Sequence, residues 1–168
     1  MIRILIVEDQ VIMRDSLESL INSQKDMVVI ASTGNAKDSY NICKEKNPDL
    51  VLMDVRTEEN ENGIDAAERI KASMPNTRII IMTGMPEITY MDSSRKAGVD
   101  SFLYKNVSGE IMLSSIRSTM EGYGIFPKNN PSPLPGSLSF TENELAVLKL
   151  VCQAKSRKEI ARALAMSE

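Results

Sequence analysis

The sequence predicts an α/β fold built on a five-stranded parallel sheet, followed by a short all-α fragment. Three observations carry this reading. Short apolar runs rich in β-branched residues recur five times along the first part of the chain. Segments with the spacing of amphipathic helices separate them. After residue 122 a stretch holding four of the seven prolines ends the alternation.

The runs at Ile2–Val7, 27–31, 50–53, 79–82 and, more weakly, Ser101–Tyr104 are mainly apolar rather than alternating, which marks strands covered on both faces. Between them Met13, Leu17, Leu20 and Ile21 fall on one helical face, as do Ala36, Tyr40 and Cys43, and then Ala67, Ile70 and Met74. Asn47-Pro48 and Met74-Pro75-Asn76 end two helices, because a residue before proline is pushed out of the α region. A last helix is predicted over 108–121, with Ile111, Met112, Ser115, Ile116 and Met120 as its inner stripe. Parallel strands need crossover connections, and these place helices on both faces of the sheet. The expected architecture is flavodoxin-like, with its functional crevice beyond the carboxyl ends of the strands, where strand order reverses beside the first strand.

The first domain is predicted to span 1–122. Residues 123–138 read as a Pro-rich linker with polyproline II character. In 139–168 two capping boxes, Thr141-Glu142-Asn143-Glu144 and Ser156-Arg157-Lys158-Glu159, each open a helix. Leu145, Leu148 and Cys152 form the inner face of one, Ile160 and Leu164 that of the other.

Composition removes several kinds of chemistry. The 168 residues include no histidine, so triad-type hydrolysis lacks its usual base, and Cys43 and Cys152 have no partner ligands for zinc. Both cysteines read as small apolar packing residues. No apolar run approaches the roughly 18 residues of a membrane span, and Met1-Ile2-Arg3-Ile4 lacks a signal-peptide layout, which predicts a cytoplasmic protein without membrane contact. Residues 1–124 hold 14 Lys+Arg against 19 Asp+Glu, net −5, whereas 125–168 hold 6 against 4, net +2. The C-terminal part is therefore the better partner for nucleic acid.

Carboxylates must carry the chemistry, and the predicted strand ends supply them. Glu8-Asp9 follows the first strand, Asp54 the third, Thr83 the fourth and Lys105 the fifth. Crowded carboxylates either raise a pKa or bind a hard cation, and an oxygen-only set favours magnesium over zinc. Asp54 then suits aspartyl-phosphate chemistry as a nucleophile, with Lys105 and the cation absorbing charge and Thr83 bonding a phosphoryl oxygen. Taken singly, each aspartate could be a helix cap, Thr83 a turn residue and Lys105 a solvated surface group. Their convergence at one end of one sheet is what the functional reading explains.

Glu8-Asp9, Asp54, Thr83-Gly84 and Lys105 together resemble the receiver-domain pattern of two-component response regulators, over about residues 1–122. The resemblance implies that a sensor histidine kinase phosphorylates Asp54. It implies Mg2+ (or Mn2+) held by Asp9 and Asp54 directly, by Glu8 through water, and by the Arg56 backbone carbonyl. It implies switching through Thr83 and Phe102, and a phosphoacceptor rather than an enzyme, with magnesium-dependent self-phosphorylation and slow autodephosphorylation its only catalysis. Phe140-Thr141-Glu142-Asn143-Glu144-Leu145-Ala146-Val147-Leu148 and Lys158-Glu159-Ile160-Ala161 resemble the start of a LuxR-type helix-turn-helix, as in the NarL/FixJ subfamily. The implied function is transcription regulation through a DNA-binding output. The helix that reads the major groove is expected to be absent from this chain, so DNA is a partner of the full-length form. The apolar faces in 139–168 then need cover, and a homodimer is one way to give it.

The pattern departs from the family after the acceptor. Receivers usually carry Met-Pro there, whereas Asp54 is followed by Arg56-Thr57-Glu58-Glu59-Asn60-Glu61-Asn62-Gly63, which reads as a solvated acidic loop about one residue longer than usual. This loop supports an alternative, an atypical receiver acting through protein partners without phosphorylation. A flavin or nucleotide enzyme fits poorly, because such sites cradle phosphate on Gly, Ser or Thr amides and the turn here is Glu8-Asp9-Gln10.

Overall fold

The protein, seen in a computed structural model, is described for residues 1–84 and 88–127. Strands and helices alternate as β1 (Ile2–Val7), α1 (Val11–Asn22), β2 (Met27–Thr33), α2 (Ala36–Lys46), β3 (Leu50–Asp54), α3 (Gly63–Ser73), β4 (Arg78–Thr83), α4 (Ile88–Lys96), β5 (Ser101–Tyr104) and α5 (Gly109–Met120). A single 3-10 turn, Glu58–Asn60, interrupts the β3–α3 connection. The helix-turn-helix expected in 139–168 and most of the linker lie outside the described residues.

The five strands are all parallel, in the order β2-β1-β3-β4-β5. Strand order reverses at β1, which places the crevice above β1 and β3 as the flavodoxin-like reading requires. Side chains alternate between two cores. Leu5, Val7, Val51, Met53, Ile79, Ile81 and Phe102 face Cys43 of α2, Ile64 and Ile70 of α3 and Met91 of α4. Ile4, Ile6, Leu50, Leu52, Ile80, Met82 and Leu103 face Leu17 and Ile21 of α1 and Met112, Leu113 and Ile116 of α5. Each fully buried aliphatic side chain contributes about 1.5–3 kcal/mol.

Local chemistry fixes the helix ends. Asn35, Asn62 and Ser108 accept backbone N–H bonds as the N-caps of α2, α3 and α5. Asn47, before Pro48, closes α2 in the left-handed region at φ 47°. Two expectations need correction. Ile111 is 49% exposed; Met112, Ser115, Ile116 and Met120 face inward as expected, and Leu113 and Thr119 join them. The 3.6-residue period alone cannot choose between neighbouring stripes, and packing against the sheet turns Leu113 inward in place of Ile111. Residues 123–127, read as linker, pack on the domain: Ile125 and Phe126 join the two cores.

Candidate functional site

Register brings the site together. Val7 is opposite Met53, so Glu8, the next residue, arrives level with Asp54 at the end of β3. Glu8 is fixed there by its N–H bond to the Thr33 carbonyl (2.9 Å). Thr83 ends β4 opposite Tyr104, and the Lys105 N–H donates to the Thr83 carbonyl (2.8 Å), carrying the pairing to Lys105. Gly63 opens α3 hard against this ledge. Its N–H bonds the Val55 carbonyl (2.9 Å), and a Cβ at Gly63 would overlap the Asp54 carbonyl oxygen.

The Lys105 ammonium bridges the two buried acids. Its Nζ is 2.7 Å from Asp54 Oδ2 and 2.9 and 2.7 Å from Glu8 Oε1 and Oε2. Glu8 is fully buried, and the Gln10 N–H also donates to its Oε1 (3.2 Å). Oε2 is different: it touches the ammonium without a hydrogen-bond direction and has no hydrogen-bonding partner among the described residues. Burial raises the pKa of Glu8 against the pull of the Lys105 bond, and the Asp54 charge raises it further. Burial likewise raises that of Asp54, opposed by the Lys105 bond and charge and by the Arg56 N–H. For Lys105, burial pushes the amine down, but its bonds to Asp54 and Glu8 outweigh this and hold it protonated above the ordinary lysine value.

Asp9, half-buried, completes the acidic group: one carboxylate oxygen each from Glu8, Asp9 and Asp54 lie within 4.8 Å of one another. Three closely set carboxylate oxygens, two of them from buried residues, fit a hard divalent cation. A cavity of about 130 Å³ adjoins them, lined by Gln10, Asp54, Arg56, Thr83, Gly84 and Lys105. A larger hollow of about 370 Å³ lies by the amino ends of β3 and β4, between Asn47 and Thr77, but no convergent charge lines it. Convergence of charged groups, not size, marks the smaller cavity as the candidate site.

Every residue expected at the strand ends is therefore brought together, with Thr83 buried at the wall. Phe102 is not in the pocket: its ring is fully buried in the core, edge-on to Tyr104 at 5.8 Å between centroids. Arg56 lines the cavity and sends its guanidinium outward to the Tyr90 hydroxyl (Nη2 3.1 Å). The acidic segment is not simply solvated. The Thr57 hydroxyl accepts from the Ala36 N–H (3.0 Å) and donates to the Glu61 carbonyl (3.1 Å), while the Glu58 N–H bonds the Gly34 carbonyl (3.1 Å). Sequence reasoning missed these ties, as well as Gln10 and Tyr90. A threonine between an arginine and two glutamates gives no pattern signal for a bond to a helix 21 residues away.

The response regulator receiver domain family matches residues 4–117. The chain belongs to that family. The receiver and the residues after it are similar to the transcriptional regulatory protein DesR of Bacillus subtilis (strain 168), 34% identical over 167 residues that span 99% of this chain and 82% of DesR. The response regulator protein VraR of Staphylococcus epidermidis is 27% identical over 96% of this chain and 81% of its own length. Among solved structures, a LuxR-family two-component response regulator from Aurantimonas sp. SI85-9A1 superposes with a TM-score of 0.70 at 25% identity, over 74% of this chain and 88% of that one. A LuxR-family DNA-binding response regulator from Staphylococcus aureus gives 0.68 at 25% identity, over 71% and 99%. The receiver's relatives are thus DNA-binding transcriptional response regulators of the NarL/LuxR type. No helix among the described residues is long and apolar enough to cross a membrane.

Proposed function

We propose that this receiver accepts a phosphoryl group on Asp54 from a sensor histidine kinase in the cytoplasm and thereby switches a DNA-binding output. The observation that carries the reading is the Lys105 ammonium shared between buried Asp54 and Glu8 at the edge of a small open cavity.

In this reading an Asp54 carboxylate oxygen attacks phosphorus as the bond from phosphorus to the donor imidazole nitrogen breaks. The electron pair of that bond leaves on the nitrogen, and the ring, already protonated at its other nitrogen, departs neutral. Asp54 is left as an acyl phosphate. Lys105 transfers one of its contacts to a phosphoryl oxygen, and the Thr83 hydroxyl donates to another. Asp9 and Asp54, the Arg56 carbonyl, and Glu8 through water would hold Mg2+ or Mn2+. The ion, when bound, offsets the combined charge of the carboxylates and the phosphoryl group. Thr83 and Phe102 then relay the change to the face formed by α4 and β5. The kinase, DNA and a second copy of the chain are the partners this reading calls for.

The test is incubation with acetyl phosphate and Mg2+, followed by intact mass. The native chain is expected to gain one phosphoryl group and Asp54→Ala none; equal gain in both, or none in either, refutes the reading. A second reading, a receiver that works through protein partners unphosphorylated, draws on the tied-down acidic segment after Asp54 and on a Lys105 already bonded to both acids. It predicts no Mg2+ binding in a calorimetric titration.

A further inference from the structure

The chain does not leave the domain where α5 ends. Gly122, at φ 92°, turns it, and residues 124–127 run along the outer side of β5, the last strand of the sheet. The Phe102 N–H donates to the Ile125 carbonyl at 2.7 Å, and the Ile125 N–H donates to Ser101 Oγ at 3.0 Å. Ser101 Oγ is in turn 2.7 Å from Thr119 Oγ1, which donates to the Ser115 carbonyl at 2.8 Å. A hydroxyl has one proton, so Thr119 has spent its own and Ser101 must be the donor between the two. A directed chain thus runs from Ile125 through β5 into α5. Ile125 packs with one core and Phe126 with the other, and the Arg95 guanidinium at the end of α4 lies 3.9 Å from the Phe126 ring centroid. A Cβ at Gly124 would stand 2.9 Å from the Asp100 carbonyl, so this close approach requires glycine.

We propose that residues 124–127 form a strap that couples α4 and β5 to the chain beyond Pro127, and that loading Asp54 loosens it. The inference rests on Asp54 being the phosphoacceptor. The strap has anchors on α4 (Arg95), β5 (Phe102 and Ser101) and, through Ser101, α5 (Thr119), so it responds to movement of any one against the others. A phosphoryl group on Asp54 draws on Lys105, directly after β5, and on Thr83, at the end of β4. The Phe102–Ile125 bond is already at the short end of the N–H···O range, and displacement of β5 lengthens it. The Phe102 backbone is thereby tied to the strap while its ring is tied to the core.

The experiment is hydrogen exchange of the full chain with and without beryllofluoride and Mg2+, with acetyl phosphate labelling read by intact mass in parallel. Loading is expected to speed exchange of the Phe102 and Ile125 amides about tenfold, the effect of losing one hydrogen bond, while β1 and β3 are unchanged. Phe126→Ala should produce the same rise without loading and, because coupling is reciprocal, bind beryllofluoride several-fold more tightly. Arg95→Gln, which leaves both cores intact, should act in the same direction. Phosphoryl uptake with unchanged exchange at Phe102 and Ile125 overturns the coupling. Native exchange in both variants overturns the strap itself. No uptake by the native chain removes the phosphoacceptor reading and the coupling with it, whereas the unloaded variants still judge the strap.

Discussion

Lys105 Nζ lies 2.7 Å from Asp54 Oδ2 although 51 residues of chain separate them. A buried ammonium between two acids is a stabilising contact only while all three charges are present, since removal of one leaves the others uncompensated.

Lys105→Met tests this directly. Glu8 and Asp54 would remain buried with no cation between them, and the fold should lose about 3 kcal/mol at neutral pH in metal-free buffer. Urea denaturation measures the loss, and Mg2+ should restore part of it. Native-like stability in the presence of chelator would mean that Lys105 does not compensate these acids.

Magnesium should stabilise the native chain as well. At ten times its dissociation constant a ligand specific to the folded state adds about 1.4 kcal/mol, seen as a rise in Tm over the chelator-treated sample. Asp9→Asn should diminish that rise without lowering the Tm of the metal-free protein by a comparable amount. A native Tm indifferent to Mg2+ contradicts the cation site.

Gly63→Ala should cost about 1–3 kcal/mol, because the added methyl overlaps the Asp54 carbonyl oxygen where α3 begins. The same substitution displaces the Asp54 backbone, so phosphoryl uptake should fall with stability. Equilibrium unfolding and the intact-mass assay read the two effects separately.

Asp100 sets an acid limit on the fold. Burial raises its pKa, but the Lys71 ammonium (2.9 Å), the Ile79 N–H (2.8 Å) and Arg78 (2.7 Å) outweigh this and hold it below the ordinary 3.8. A depressed carboxylate stabilises the fold fully above its unfolded pKa, and that contribution disappears as pH falls through the folded value. Asp100→Asn should therefore weaken the protein at pH 7 by about 1–3 kcal/mol and narrow the gap from the native chain below pH 3.8. Parallel stability profiles for the two proteins across that range would refute the assignment.

The five strands were legible because each is built on a short apolar run. Their ends were less so: β2 continues to Thr33 and β4 includes Arg78 and Thr83, polar residues that extend the strands beyond the apolar runs. The helix α4 gave no apolar stripe of its own. It buries Ser94, whose hydroxyl returns to the Tyr90 carbonyl at 2.7 Å, so a polar residue occupies a core position. The acidic residues and Lys105 of the site were legible because a parallel sheet places the residue after each strand at one rim. Contacts that depend on where a loop folds back, such as Thr57 with Ala36 or Phe126 with Arg95, leave no trace in spacing.

The fastening of Thr57 and Glu58 to the start of α2 also decides where the negative charge that follows β3 can go. Glu58, Glu59 and Glu61 stand on a segment held at Thr57 and Glu61, so their charge stays with the β3–α3 connection and cannot range as it would on a free loop. A single threonine hydroxyl, bonded on both sides, thus sets how far three acidic side chains can move.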